Sequence, residues 1–319
     1  MKWFSAFLGF FALTVVAALP TDVDSAGLVK RASTGDTANL GYAAASTTGG
    51  SGGTVTTVTT LAALTSAVSG SSKKIVIISG TITGNTVVKV GSNTSVLGAA
   101  GSSLNGIGLR VLNESNVIIR NVKISKVLAD AGDAIGVQAS KNVWLDHLDL
   151  SSDRDHDKDY YDGLLDITHG ATGVTVSYSK LYNHYKGSLV GHSDNNGSED
   201  TAITVTYAYN IFSNINSRTP SFRFGHGHIY NNYFDSNNDG INTRDEAQLL
   251  VQNNVWVNPK KPIYSTDGGY AVATGNDFGG GENTAPTGSF TSPPYSYSLT
   301  DTSSVVSYVN SNAGQKLSF

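Results

Sequence analysis

The chain has 319 residues, 39% of them hydrophobic and only 14% charged, with 35 Gly and 26 Asn. That apolar content supplies a sizeable core and excludes disorder or a peptide-sized function, while the Gly, Asn, Ser and Thr content excludes an all-helical protein. A net charge of −4 without any Lys/Arg cluster excludes a nucleic-acid binder, so an anionic substrate would have to meet local cations or a metal.

Met1 to Leu19 reads as a secretory signal peptide: Lys2 supplies the positive start, Trp3 to Val16 the apolar stretch, and Ala17 and Ala18 the small residues near a cleavage point. The stretch is short for a membrane span, which takes about 20 apolar residues, and no second apolar run follows. A secreted, extracellular protein with no membrane attachment after cleavage is expected. Lys30-Arg31 reads either as a dibasic site ending a short pro-segment at 31 or as an ordinary exposed pair, and residues 32–319 as a single domain. Cys is absent and Met occurs only at position 1, so rigidity must come from packing and hydrogen bonding. N-glycosylation sequons stand at Asn93, Asn113 and Asn196.

Residues 41–58 are rich in Gly, Ser and Thr, after which Leu61, Leu64, Ala67 and Val68 fall on one helical face and predict a short capping helix. Thereafter β-branched runs predict strands at Ile75 to Ile78, Thr94 to Leu97, Val117 to Val122, Val143 to Leu150, Val174 to Val176 and Ile203 to Tyr207. Polar-then-aliphatic endings recur at Lys123-Ile124, Asp149-Leu150, Lys180-Leu181, Asn210-Ile211, Asn232-Tyr233 and Asn254-Val255. A period near 22 residues, lengthened at some turns, predicts a parallel β-solenoid with three short strands per coil rather than a sandwich. Coils about 4.8 Å apart let Asn at equivalent turns form an amide ladder, although Asn is also simply a good turn residue. The long insertions, between Leu150 and Leu181 and between Leu181 and Ile211, place function on the central coils.

Asp density peaks from Asp153 to Asp166. Such a cluster is either a solvated acidic loop or a site for a hard cation such as calcium. An EF-hand starting at Asp155 fails, because Tyr160 stands where Gly is needed and Asp166 where a bidentate Glu is needed. A site across coils suits Asp162 and Asp166, which flank Gly163-Leu164-Leu165, together with Asp133 one coil earlier. Lys186, Arg218 and Arg223 either solubilise the surface or face an anionic ligand. Gly225-His226-Gly227-His228 lacks a third metal ligand, and the adjacent Asp-Asp of pectin-hydrolysing solenoids is missing, so these His read as turn and ladder residues.

Together, Asn142-Val-Trp-Leu-Asp-His147, Asp162-Gly-Leu-Leu-Asp166, His184-Tyr-Lys186, Leu189-Val-Gly-His-Ser-Asp194, Arg218-Thr-Pro-Ser-Phe-Arg223 and Asn231-Asn232 closely resemble the pectate lyases of polysaccharide lyase family one, most of all the fungal secreted members. The resemblance implies a right-handed parallel β-helix that cleaves de-esterified homogalacturonan, the polygalacturonate of plant cell walls, by β-elimination with calcium. By the same resemblance Asp133, Asp162 and Asp166 match calcium ligands, Arg218 the base, and Lys186 and Arg223 the groups that bind substrate carboxylates. One departure exists: some members carry a further Asp where Ala131 stands. A guanidinium is ordinarily always protonated, so a base of this type is costly. The rival readings are a pectin lyase acting on methyl esters without calcium, in an aromatic-lined cleft, and a non-catalytic carbohydrate-binding solenoid. A monomer is expected.

Overall fold

A computed structural model describes residues 1, 30–44 and 46–319; the signal segment expected at 1–19 lies outside the described residues, apart from Met1. Among them, short β-branched runs stack coil on coil. A ten-stranded parallel sheet forms the first face, from Thr54–Val58 through Lys141–Asp146, Thr172–Ser177, Thr204–Ala208 and His226–Tyr230 to Tyr270–Thr274. The second face holds Lys123–Ser125, Asp149–Ser151, Lys180–Lys186, Ile211–Ser217, Tyr233–Asp235 and Val255–Val257. The third holds Ile135–Gln138, Leu165–Thr168, Leu189–Val190, Ser221–Arg223, Ile241–Arg244 and Ile263–Ser265. The long strand Ser103–Leu112 turns the corner between the second and third faces and pairs in both. This is the expected parallel β-solenoid. Its capping helix is Leu61–Ala67, where the Thr60 side chain accepts from Ala63 N and Leu64 and Val68 are fully buried.

Two expected strands divide. Asn121 (φ 59°) and His147 (φ 51°) adopt left-handed conformations that break Val117 to Val122 and Val143 to Leu150 and turn the chain from the first face to the second. His226 and His228 also differ from the expectation: both lie in the first-face strand His226–Tyr230. His228 is wholly buried, bonded to Tyr295 Oη at 2.7 Å and Gln252 Oε1 at 3.1 Å.

The amide ladder forms at the first corner of the coil. Asn210 donates to Asn232 at 2.9 Å, Asn232 to Asn254 at 2.9 Å, and Asn254 to Asn276 at 3.0 Å, each 22 residues apart. Beside it, the aliphatic echo slips by one residue. Leu181 pairs with Phe212 rather than Ile211, and Phe212, Phe234 and Trp256 stack inside the coil at 5.2 and 4.6 Å. Neighbouring strand residues face opposite sides, so the slip turns Ile211 and Val255 outward. The C-terminal helix Thr302–Asn312 covers them there with Val305 and Val309.

The segment Asn142-Val-Trp-Leu-Asp-His147 has a structural role. Asp146 is fully buried and accepts from Arg120 Nε at 2.7 Å and Ser177 Oγ at 2.6 Å, with His147 Nδ1 at 2.7 Å. Arg120 also binds Asp36 and lies 4.9 Å over the Trp144 ring, fastening the N-terminal segment to the first face. Burial alone would raise the Asp146 carboxyl; His147, Arg120 and Ser177 outweigh it and hold it below the ordinary range. Asp146→Ala, which leaves the largely buried Arg120 guanidinium with Asp36 as its one acidic partner among the described residues, should therefore cost about 3 kcal/mol of unfolding free energy at neutral pH. Because the native carboxyl is depressed, its contribution is full above the unfolded value near about 3.9 and disappears as pH falls through the native one. Chemical denaturation of both proteins at pH 7 and pH 3 would show the gap narrowing in acid; a constant gap would contradict this account.

Candidate active site

The insertion between Ser151 and Leu165 leaves the corner that joins the second and third faces, and the six residues singled out above gather at that corner and on the third face beyond it. They occupy four successive coils. Asp133 precedes strand Ile135–Gln138, whose Ile135 pairs with Leu165 of the next coil, so the position one coil on from Asp133 is Gly163. Gly163 N donates to Asp133 Oδ1 at 3.0 Å. Asp166, one residue into its strand, accepts from Leu189 N at 3.0 Å. A Cβ at Gly163 would stand 2.7 Å from both Asp133 Oδ1 and Asp166 Oδ1, so only glycine leaves the two carboxylates room to converge.

That convergence is electrostatically uncomfortable. Burial, then the charges of Asp166 and Asp162, push the Asp133 carboxyl well above its ordinary range. Burial does the same to Asp166, although the Arg218 guanidinium and the Leu189 amide pull it partly back. Two buried carboxylates that repel across a glycine gap form a donor set suited to a hard cation. Asp162 is turned the other way, toward Lys186 Nζ at 3.1 Å, which also reaches Asp159 at 3.3 Å. Among the described residues, no three His, Cys, Asp or Glu side chains are grouped closely enough to hold a metal ion by themselves. The structure thus brings Asp133 and Asp166 together and leaves Asp162 beside them, paired with a lysine.

Lys186 ends the strand Lys180–Lys186 opposite Ser217, and Arg218 follows Ser217. Arg218 has φ +65°, uncommon for a residue with a side chain, and its carbonyl accepts from Ser188 N at 2.7 Å. Among the described residues its guanidinium makes no ion pair within 4 Å, whereas Lys186 and Arg223 are both paired. Arg218 and Lys186 border one cleft of about 190 Å³ with Tyr185 and Asn216. One coil beyond Lys186, Arg223 Nε binds Asp194 at 2.6 Å and lies 3.4 Å from Asp245. Arg244, in register with Arg223 on the next coil, shares Asp194 at 3.1 Å.

Sequence reasoning gave no pairing role to Asp159 or Asp194, although both lie in segments it singled out, and missed Arg244 beside Arg223 and Arg110 on the coil before Asp133. Arg244 follows Arg223 by 21 residues, close to the repeat, and that spacing was the available signal. Asp194 carried no periodic signal, only its place at the end of the Leu189 to Asp194 motif, because it arrives on the loop between Val190 and Thr204, from the other corner. Within the acidic run, Asp155 and Asp157 are exposed to solvent, as in a solvated loop, while Asp166 is buried at the corner.

Comparison with known proteins assigns this stacked parallel solenoid, with its carboxylate pair and its cations at the corner and on the third face, to a class of polysaccharide-processing enzyme. A family model described as pectate lyase matches residues 16–318. Pectate lyase A of Aspergillus niger is 56% identical over 323 aligned residues, covering 100% of this chain and 99% of that protein. A probable pectate lyase A of Aspergillus flavus is 61% identical over 249 residues, 77% of this chain and 78% of the relative. Among solved structures, a pectate lyase from Bacillus sp. N165 in complex with trigalacturonate superposes with a TM-score of 0.79 at 34% identity, covering 86% of this chain and 98% of that one. The chain belongs to the pectate lyase family and is an enzyme of that kind.

Proposed function

We propose that the enzyme cleaves de-esterified (1→4)-α-D-galacturonan by β-elimination, leaving a 4,5-unsaturated oligogalacturonide, and that it needs calcium to do so. The observation that carries this reading is the convergence of Asp133 and Asp166 on Gly163, with Arg218 close enough to act on Asp166. Asp133 and Asp166 would hold the calcium ion, joined by Asp162 once it leaves Lys186, with water and a substrate carboxylate supplying the remaining oxygens of its shell. When bound, calcium supplies positive charge next to the uronate carboxylate, where negative charge develops as C5 loses its proton.

The chain's own groups do the rest. Lys186 is paired with the exposed Asp159 and the half-exposed Asp162, and Arg223 with the exposed Asp194, so a uronate carboxylate can take over those bonds without leaving these aspartates in a dry interior, while the contact of Arg223 with the largely buried Asp245 stays. Arg218, with no such partner among the described residues, is the group left to face C5, and its side chain in the neutral form would accept the C5 proton and become the guanidinium. Trp144 and Trp256 are both buried, so among the described residues no tryptophan lines the cleft. A charged substrate suits that cleft better than a methyl ester.

Secretion after signal cleavage, with a pro-segment to 31, belongs to the same reading, as does glycosylation at Asn93, Asn113 and Asn196. Lys30–Arg31 pairs in parallel with Leu317–Ser318, both side chains exposed. Ultraviolet absorbance of unsaturated uronide, followed on polygalacturonate with calcium, with a chelator, and on highly esterified pectin, tests the function. Absorbance should rise only on polygalacturonate with calcium; a greater rise on the ester that survives chelation would identify a pectin lyase instead.

A further inference from the structure

Arg110 lies in the same third-face column as the carboxylate pair: it pairs with Gly136, and Gly136 with Asp166. Two glycines make room for its guanidinium. A Cβ at Gly132 would stand 2.7 Å from Arg110 Nη2, and one at Gly136 would stand 3.7 Å from Arg110 Nε and 3.5 Å from Asp133 Oδ2. The guanidinium therefore flanks Asp133 on the side away from Asp166. It makes no hydrogen bond or ion pair among the described residues, and its Nε is buried without a partner. Arg110 thus lies beside the carboxylate pair without a hydrogen bond or ion pair to either, and acts on Asp133 through its charge alone, which favours the ionised carboxylate.

We propose that Arg110 makes calcium binding at Asp133 and Asp166 conditional on the uronate substrate. The inference rests on the calcium reading above. Without substrate, the fixed positive charge beside Asp133 opposes a second cation; a bound galacturonate adds a carboxylate that both cations attract, and the opposition is relieved. Metal and saccharide then load together rather than in sequence. Arg110 is a positioning residue here and performs no step of the cleavage.

The test is calorimetric titration of calcium into the folded full-length secreted protein, with Arg218→Lys as background so that added trigalacturonate is not consumed. Without saccharide, Arg110→Gln should bind calcium about tenfold tighter than the parent, since a unit charge at this range in a half-buried site is removed. Arg110→Lys, which keeps the charge, should stay within about threefold of the parent. With saturating trigalacturonate, the gap between the Gln variant and the parent should close. Equal affinities of parent and Gln variant without saccharide would overturn the proposal. So would a parent whose calcium affinity is unchanged by trigalacturonate, a result that needs no variant to fold. If no protein binds calcium at millimolar concentration, the calcium reading fails and this proposal with it; equal and measurable binding removes Arg110 alone.

Discussion

Arg218→Lys is expected to lower turnover on polygalacturonate by roughly a thousandfold, within the usual range for loss of a general base, while the affinity for oligogalacturonate stays within about threefold. The split follows from position. Lys186 and Arg223 hold substrate carboxylates in this reading, and both remain. Lysine keeps the positive charge at 218 but not the planar fork, and its shorter head group is drawn back from the cleft. Arg218 also sits at φ +65°, held there by the Ser188 N bond to its carbonyl, so the side chain is aimed by the backbone rather than by a partner. Steady-state kinetics on the variant decide the matter. More than a tenth of the parent rate would remove Arg218 from the base role.

The second large effect has opposite signs on activity and stability. Asp166→Asn keeps shape and removes one of the two converging charges, so the calcium needed for half-maximal rate should rise roughly a hundredfold. Yet the same substitution should stabilise the calcium-free protein by on the order of 1–2 kcal/mol at neutral pH. The sign follows from the shifts. Burial raises both Asp133 and Asp166 above their unfolded values, and the charge of Asp166 adds to the rise at Asp133, so ionising them costs folding free energy that grows as pH rises through the raised values. Removing one charge relieves both. Calcium titration of the rate, paired with thermal unfolding in chelator at pH 7, tests each half. A variant less stable than the parent in chelator would show that the two carboxylates do not oppose each other.

The solenoid was legible because its repeat is written in polar residues. Asn210, Asn232 and Asn254 recur at 22 residues since each amide must bond the next, and few other side chains can do so. Aliphatic residues were poorer markers. Ile211 and Val255 stand in the same recurring endings as Ile124, Leu150 and Leu181, but they face outward beneath a helix whose own sequence, Thr302 to Asn312, carries too few apolar residues to announce it. At the candidate site, Asp133, Asp162 and Asp166 were legible as neighbours across coils, and Lys186, Arg218 and Arg223 as cations that either solubilise the surface or face an anionic ligand. What each side chain pairs with was not. Asp162 turning to Lys186, and Asp194 bridging Arg223 and Arg244, depend on how far two insertions carry the chain, a length that sequence periodicity does not encode. Arg110 was hidden for another reason: its significance comes from Gly132 and Gly136, whose contribution is the space they leave.

The central claim is that a cation at Asp133 and Asp166 and the guanidinium of Arg218 meet one galacturonate unit. A crystal structure of the Arg218→Lys protein soaked with calcium and trigalacturonate measures this directly. The account predicts calcium bound by Asp133 and Asp166 and by a carboxylate of the sugar, with residue 218 directed at C5 of that same sugar. Calcium bound elsewhere, or a saccharide whose nearest unit contacts the metal but lies out of reach of residue 218, would contradict it.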